Sequence, residues 1–218
     1  MCAHYESVDA PERLQLGFDV APPAERGKAH VWPGYLSTFI RHPKEQDGGD
    51  DGGPAREAVL GSFGMIPHWA KDPTVARHTY NARTETVAEK PTFRDAWRLG
   101  RRCIIPAEAF YEPDWRSGKA VATRIARADG KPMGIAGIWT GWKSPTGDIM
   151  RSFSMLTINA DAHSLMRQFH KPSDEKRMVV ILPSDRYQAW LDAPQAACSE
   201  FLLPYPADAM TAAPSTRP

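Results

Sequence analysis

The chain has 218 residues, 42% of them apolar, and a formal net charge of only +1, so it can bury one sizeable core and lacks the bulk positive charge that holds nucleic acid by general attraction. No apolar run reaches the roughly 18 residues that a membrane-spanning helix needs. Three scattered cysteines, Cys2, Cys103 and Cys198, with no C-x-x-C pair, argue against a disulfide framework and against a zinc cage. The polar start Met1-Cys2-Ala3-His4-Tyr5-Glu6 lacks the basic and apolar stretches of a secretory signal, and the expected location is the reducing cytoplasm.

In chain order, Asp9 to Gln15 reads as a short helix with Pro11 in its first turn. His30 to Val31, Tyr35 to Arg41 and Glu57 to Met65 read as strands, with the Gly/Asp-rich stretch Asp47 to Gly53 as a hairpin tip. Thr92 to Leu99 is helical in character after Pro91 and stops at Gly100. Strands are expected at Arg102 to Ile105, Ala120 to Arg127, Met133 to Trp142 and Ser152 to Asn159, with Asp129-Gly130 as a hairpin signal. Ala162 to Phe169 follows as a helix, then a buried strand from Met178 to Leu182. Ser184 is placed to cap a helix to Leu191, and Pro194 to Leu202 forms a last helix. Strands that neighbour one another instead of alternating with helices predict an α+β fold: a single domain, 1–203, with a curved, mostly antiparallel, barrel-like sheet and flanking short helices. Residues 204–218, rich in Pro, Ala and Thr, are expected to be a flexible C-terminal tail.

Five features carry chemistry. If Met1 is trimmed, Cys2 presents a thiol and an α-amine on adjacent carbons, with ordinary pKa values of about 8.5 and about 7.7–8.0. The amine can condense with an aldehyde to a Schiff base, and the thiol can close onto the imine carbon as a five-membered thiazolidine. An internal cysteine cannot do this, because its nitrogen is an amide; the plainer reading is an incidental, inert thiol. Asn81-Ala82-Arg83-Thr84-Glu85-Thr86 groups an amide that can orient an amine or a hydroxyl with a guanidinium suited to phosphate, or is simply a polar turn. Glu112 follows Phe110 and Tyr111 and precedes Trp115, surroundings that would raise its pKa; Glu108 competes for the same role. His170, ahead of a Lys-Pro-Ser-Asp segment, can shuttle protons or be a surface or satisfied core histidine. Trp69, on the loop Gly64-Met65-Ile66-Pro67-His68-Trp69, can stack on an unpaired base or sit in the core.

The order of these segments carries more than any one of them. Met1-Cys2 is followed by Gly-Met-Ile-Pro-x-Trp, Asn-Ala-Arg-x-Glu, Pro-Ala-x-x-Phe-Tyr-Glu, Thr-x-x-Ala from Thr157, and His170 leading to Arg177-Met-Val-Val-Ile-Leu. This succession resembles the SRAP family, the SOS response-associated peptidases or abasic-site-processing proteins, from Met1 to about Leu203. The resemblance implies an autocatalytic protein that releases Met1, binds single-stranded DNA in a local basic cleft, and links Cys2 covalently to a ring-opened abasic sugar, with lyase activity as a possible side chemistry. It implies that Asn81 positions the amino terminus and the sugar. Glu112 acts as general acid/base, and His170 holds the sugar hydroxyl. It also implies DNA contacts by Arg83, Trp69, Thr157 and Arg177. No cofactor, metal or membrane is implied, and the expected state is a cytoplasmic monomer, nucleoid-associated when acting on DNA.

This chain departs from the family pattern at Phe63-Gly64, at Phe18-Asp19-Val20-Ala21-Pro22, and in the length of the segment from Lys171 to Lys176. Two other classes use the same residues. An N-terminal-nucleophile amidohydrolase would use Cys2 with Asn81 in an oxyanion hole. A non-covalent reader of damaged single strands would not need Cys2 at all.

Overall fold

The computed structural model describes residues 2–43 and 54–215, so Met1, the expected hairpin tip at 47–53 and residues 216–218 lie outside the described residues. The chain opens with β1 (His4–Ser7) and α1 (Pro11–Phe18), whose proline occupies the first turn, where its missing N–H costs nothing. β2 (His30–Val31), β3 (Leu36–Arg41), β4 (Glu57–Phe63) and β5 (Asn81–Arg83) follow, then the short α2 (Arg94–Arg98). The longest strands come next: β6 (Arg102–Asp114), β7 (Val121–Arg127), β8 (Met133–Lys143) and β9 (Ile149–Asn159). β10 (Arg177–Val179), β11 (Ile181–Leu182), α3 (Tyr187–Asp192) and β12 (Met210–Pro214) complete the chain.

The strands form one sheet in which β8, β9, β4, β3 and β6 are successive neighbours, and β6 pairs back onto β8. That last pairing, from Arg102↔Ile138 to Ala107↔Met133, closes a five-stranded barrel within an α+β domain. Most pairings are antiparallel; β4 and β5 run parallel to β9. The barrel is filled by fully buried rings. Tyr5 meets Phe63 edge-on at 5.1 Å between centroids, and Phe153 lies 5.2 Å from Phe39 and 5.7 Å from Phe63. Such pairs add about 0.5–1.5 kcal/mol each beyond the area they bury.

β6 organises the rest. Its first half pairs with β8, and its second half pairs with β1 (His4↔Tyr111, Tyr5↔Phe110) and with β7 (Phe110↔Ile125 to Asp114↔Val121). The expected hairpin at Asp129-Gly130 is therefore a turn whose flanking strands do not pair with each other among the described residues: β7 and β8 both pair with β6. Gly130 has φ +71, as the turn signal requires.

Several expectations are corrected. The strand read as Arg102 to Ile105 runs on to Asp114, because both its faces are covered. Asn81–Arg83, read as a polar turn, is a strand held by β9 in the register Asn81↔Met155. The helix expected over 162–169 is reduced to a single 3₁₀ turn, Met166–Gln168. The His163 Nδ1 accepts from the N–H groups of Leu165 and Met166, and Phe169 bridges to Asp114, so the backbone is diverted before a helix can propagate. Ser184 makes no cap; Pro183 precedes a 3₁₀ turn that leads into α3, and 195–201 is also 3₁₀. The tail is not loose through its described part: β12 pairs with β7 from Met210↔Arg127 to Pro214↔Thr123, and buries Met210. The free edge of β7 supplies backbone partners that composition cannot reveal. No helix among the described residues is long and apolar enough to cross a membrane.

Gly64 makes the loop after β4 possible. Its φ is +111, and a Cβ there would lie 1.9 Å from the Ala76 carbonyl oxygen, on the 3₁₀ segment Pro73–His78. Gly64→Ala is expected to lower stability by about 2 kcal/mol or more, from backbone strain plus backbone overlap, measured as a drop in urea midpoint.

Candidate functional site

Cys2 lies at the head of β1, and the β1–β6 register fixes what faces it. With His4 opposite Tyr111, the register continued outward sets Ala3 opposite Glu112 and Cys2 one residue beyond, so Cys2 and Glu112 lie at the same rim of the barrel. Cys2 is buried, and its thiol donates to the His4 carbonyl at 3.4 Å. The Asn81 side-chain amide, at the start of β5, donates to the Cys2 carbonyl at 2.9 Å. β5 is held in place by its parallel ladder to β9, so the amide is aimed by the sheet and not by a free loop.

Glu112 is only 2% exposed, and its Oε2 lies 3.3 Å from the Nε2 of His170. His170 reaches this position because its N–H donates to the Pro113 carbonyl at 2.9 Å. Its φ of +64 is unusual for a non-glycine residue, though histidine is among the types that tolerate it. Backbone held in such a conformation marks a position that the surroundings over-determine, a common property of functional sites.

Burial sets the proton inventory. Loss of water pushes the Glu112 carboxyl up to about 7 and holds the His170 imidazole down at about 4. At neutral pH the imidazole is therefore uncharged and the carboxyl exchanges its proton readily; their contact is not a fixed ion pair. Burial also pushes the Cys2 thiol up, and the nearby Glu112 charge adds to this, so the sulfur rests as a thiol. The half-buried Tyr80 is raised first by burial and then by the charges of Cys2 and Glu112. It therefore borders the same cluster, and the sequence reading missed it; its only signal was adjacency to Asn81.

The structure thus brings together Cys2, Asn81, Glu112 and His170. It also separates the two carboxylates that competed in sequence. Glu108 is clamped by the Arg13 guanidinium through two contacts of 2.6 Å, away from the cluster. The four residues proposed for DNA contact are divided. Arg83 is half-exposed and pairs with Glu175 at 2.8 Å, so a phosphate there would compete with that carboxylate. Arg177 is buried and bonded to Glu85, Glu175 and the Thr157 carbonyl, while the buried Thr157 hydroxyl accepts from its Nε at 3.3 Å. Arg177 and Thr157 therefore face inward and order the Glu85 and Glu175 carboxylates. Trp69 is 53% exposed on its loop.

Sequence missed a second feature beside the cluster. His4 is stacked between Trp32 and Tyr111, each 4.2 Å away between centroids and within 10° of parallel. Its Nε2 also lies 3.1 Å from the His30 Nδ1. Burial holds the His4 imidazole down at about 4. This stack pins β1 two residues from Cys2.

The fold and the cluster define a single-domain protein that buries a Cys–Glu–His group at one rim of a small closed sheet. The family model described as SOS response associated peptidase (SRAP) matches residues 1–217, and the chain belongs to that family. It is 34% identical over 156 residues to the abasic site processing protein YoaM of Bacillus subtilis, covering 69% of this chain and 64% of that one. It is 28% identical to the abasic site processing protein HMCES of Mus musculus, covering 81% of this chain and 55% of that one. The chain thus matches less than two thirds of the length of either relative. Its fold superposes on a crystal structure of a Bordetella bronchiseptica protein with TM-score 0.88 and 46% identity, covering 99% and 100% of the two chains. A Bacteroides thetaiotaomicron structure with 22% identity and TM-score 0.77 shares the fold.

Arg177→Ala would leave Glu85 and Glu175 without their common cation and empty a buried site. It should destabilise the protein by about 1–3 kcal/mol, below the roughly 3–5 kcal/mol for breaking a fully buried pair, because both carboxylates reach solvent. Arg177→Lys should recover only part of this, since an ammonium cannot span both partners; thermal unfolding of the two variants measures the difference.

Proposed function

We propose that this protein processes abasic sites in single-stranded DNA by forming a thiazolidine between Cys2, once Met1 has been removed, and the ring-opened sugar. The observation that carries this reading is the convergence of Cys2, Asn81, Glu112 and His170 in one buried cluster, with a carboxyl near pKa 7 at its centre. The names of the relatives, abasic site processing proteins, support the substrate class.

The chemistry follows from the proton inventory. An abasic sugar equilibrates between a closed hemiacetal and an open aldehyde. Neutral His170 accepts a hydrogen bond from the sugar hydroxyl and favours the open form. The Cys2 amine, free of the initiator residue and oriented through the Asn81 amide, adds to the aldehyde carbon. The protonated Glu112 carboxyl gives its proton to the departing hydroxyl, water leaves, and an iminium forms. Glu112 is now the carboxylate. It takes the thiol proton as sulfur adds to the same carbon, closing the five-membered ring. The net reaction is aldehyde plus aminothiol to thiazolidine plus water. Because burial keeps the sulfur as a thiol, ring closure requires this base. The same groups run in reverse can open the ring, and the iminium intermediate is the branch point for strand cleavage by β-elimination.

A purified protein lacking Met1 should form an SDS- and heat-resistant adduct with a single-stranded oligonucleotide bearing one abasic site. Cys2→Ala should abolish it, and mass spectrometry should find the DNA on the N-terminal residue. An adduct that survives Cys2→Ala, or one attached elsewhere, ends this reading. Glu112 also predicts a pH profile. The dehydration step needs the protonated carboxyl, present below about pH 7, and ring closure needs the carboxylate, present above it. The crosslinking rate should therefore turn over near pH 7. Glu112→Gln should slow it by about 10²–10⁴-fold and flatten that turn, as loss of a general acid–base group does.

A further inference from the structure

At the end of the barrel opposite Cys2, each of the five barrel strands delivers one side chain to the mouth. Phe39 and Phe153 fill the barrel, and side chains alternate along a strand, so Arg41 and Arg151, two residues away on β3 and β9, share their inward face. Glu57 of β4 is opposite Arg41, and Trp139 of β8 is opposite Phe153 with its ring 6.0 Å from that of Phe39. Arg101 leads into β6, and its carbonyl accepts the Trp139 N–H at 3.0 Å. Glu112 lies eleven residues further along the chain from Arg101, roughly 36 Å at about 3.3 Å per residue, so this mouth is far from the Cys2 cluster.

Charge at this mouth does not balance. The Arg41 guanidinium lies 4.3 Å from the Trp139 ring centroid, pairs with Glu57 at 2.7 Å and is buried. Burial, and behind it the like charge of Arg151, lower its pKa against the pull of Glu57. Arg101 lies 5.6 Å from the same ring centroid, and its guanidinium donates to the Thr140 hydroxyl at 3.1 Å. Arg101 and Arg151 are half-buried, and among the described residues neither has a carboxylate within ion-pair distance. Three guanidinium groups and one carboxylate leave two positive charges around one indole, in a chain whose net charge is only +1. Guanidinium forks match the oxygens of a carboxylate or a phosphate. A carboxylate would balance one of the two charges, whereas a terminal phosphate, at about −1.5 to −2 near neutral pH, balances both.

We propose that this distal mouth is a binding site for a terminal phosphate group, held by Arg101 and Arg151 beside Trp139, with Arg41 kept in place by Glu57. Two sources share that chemistry: a small phosphorylated compound, or the phosphorylated end of a nucleic-acid strand. The site does not depend on the Cys2 chemistry and is read without it. The competing occupant belongs to the chain itself: the acidic run from Glu45 to Asp51 joins β3 to β4 in sequence and lies outside the described residues.

The test follows the Trp139 indole N–H in a nitrogen-15 NMR spectrum, assigned by its loss in Trp139→Phe, as inorganic phosphate replaces chloride at constant ionic strength. A saturable shift is expected. The double substitution Arg101→Gln with Arg151→Gln should weaken binding about tenfold or more, as loss of charge-assisted hydrogen bonds does. Arg151→Lys, which keeps the charge, should stay within about fivefold, so that the loss is one of charge and not of fold. A short single strand with and without a 5′-phosphate then distinguishes the sources. If the phosphorylated strand shifts Trp139 at concentrations about tenfold or more below those of inorganic phosphate, and the unphosphorylated strand does not, the ligand is a strand end; otherwise it is a small phosphorylated compound. The proposal is overturned if no saturable shift appears or if the shift survives the double substitution. It is also overturned if phosphate binds only after Glu45, Asp47, Asp50 and Asp51 are replaced by their amides, which would assign the arginines to the chain's own carboxylates. Adduct formation at Cys2, run in parallel, should be unchanged within about twofold in the double variant, because the two ends of the barrel are too far apart to couple.

Discussion

The exclusion of water from the Glu112 carboxyl is the constraint on which the rest depends. A glutamate on a solvated strand end would be a carboxylate at neutral pH and could not donate a proton. At the rim of this barrel it is 2% exposed, and its pKa is about 7. That state requires β6 to be covered on both sides, by β1 and β7 along its second half and by the His170 segment at its end. The same coverage brings Cys2 and Glu112 to one rim, because β1, which covers this half of β6, starts two residues after the cysteine.

Rigidity around the cluster is distributed over elements far apart in sequence. Asn81 is aimed by a three-residue parallel strand on β9, and His170 by one backbone hydrogen bond and a left-handed φ. β1 is gripped by the stack of His4 between Trp32 and Tyr111. Each device is small, but together they leave the reacting groups few rotamers. Orientation of this kind accounts for a large share of rate in reactions where the groups are intrinsically capable but poorly placed.

Charge is handled differently in the two halves of the site. Close to Cys2 the guanidinium groups are committed to carboxylates, and Arg177 is internal. Along the Trp69–Tyr35 surface Arg77 is exposed and, among the described residues, has no carboxylate within ion-pair distance.

The sequence by itself determined the α+β class, most strand positions and the side-chain types available to the candidate site. These are local properties: alternation, turn-forming glycines, and side chains such as Cys2 and Glu112 whose chemistry is intrinsic. Tertiary structure decided which of the local signals were used. Asp129-Gly130 makes its turn, yet its two strands pair with β6 and not with each other, because β6 offers both halves of its length. The 162–169 segment has helical composition but is diverted by His163 and by the bridge to Asp114. Residues 210–214 look like a tail and become a strand, because β7 has an open edge. Glu108 and Glu112 are indistinguishable by type and near neighbours in sequence, and only the pairing of one with Arg13 and the burial of the other beside His170 tell them apart. Arg177 and Thr157 belong to the motif but face inward. Tyr80 and the His4 stack were invisible for the same reason: a pKa or a ring contact depends on which distant segments exclude water from a site, and sequence spacing does not carry that information.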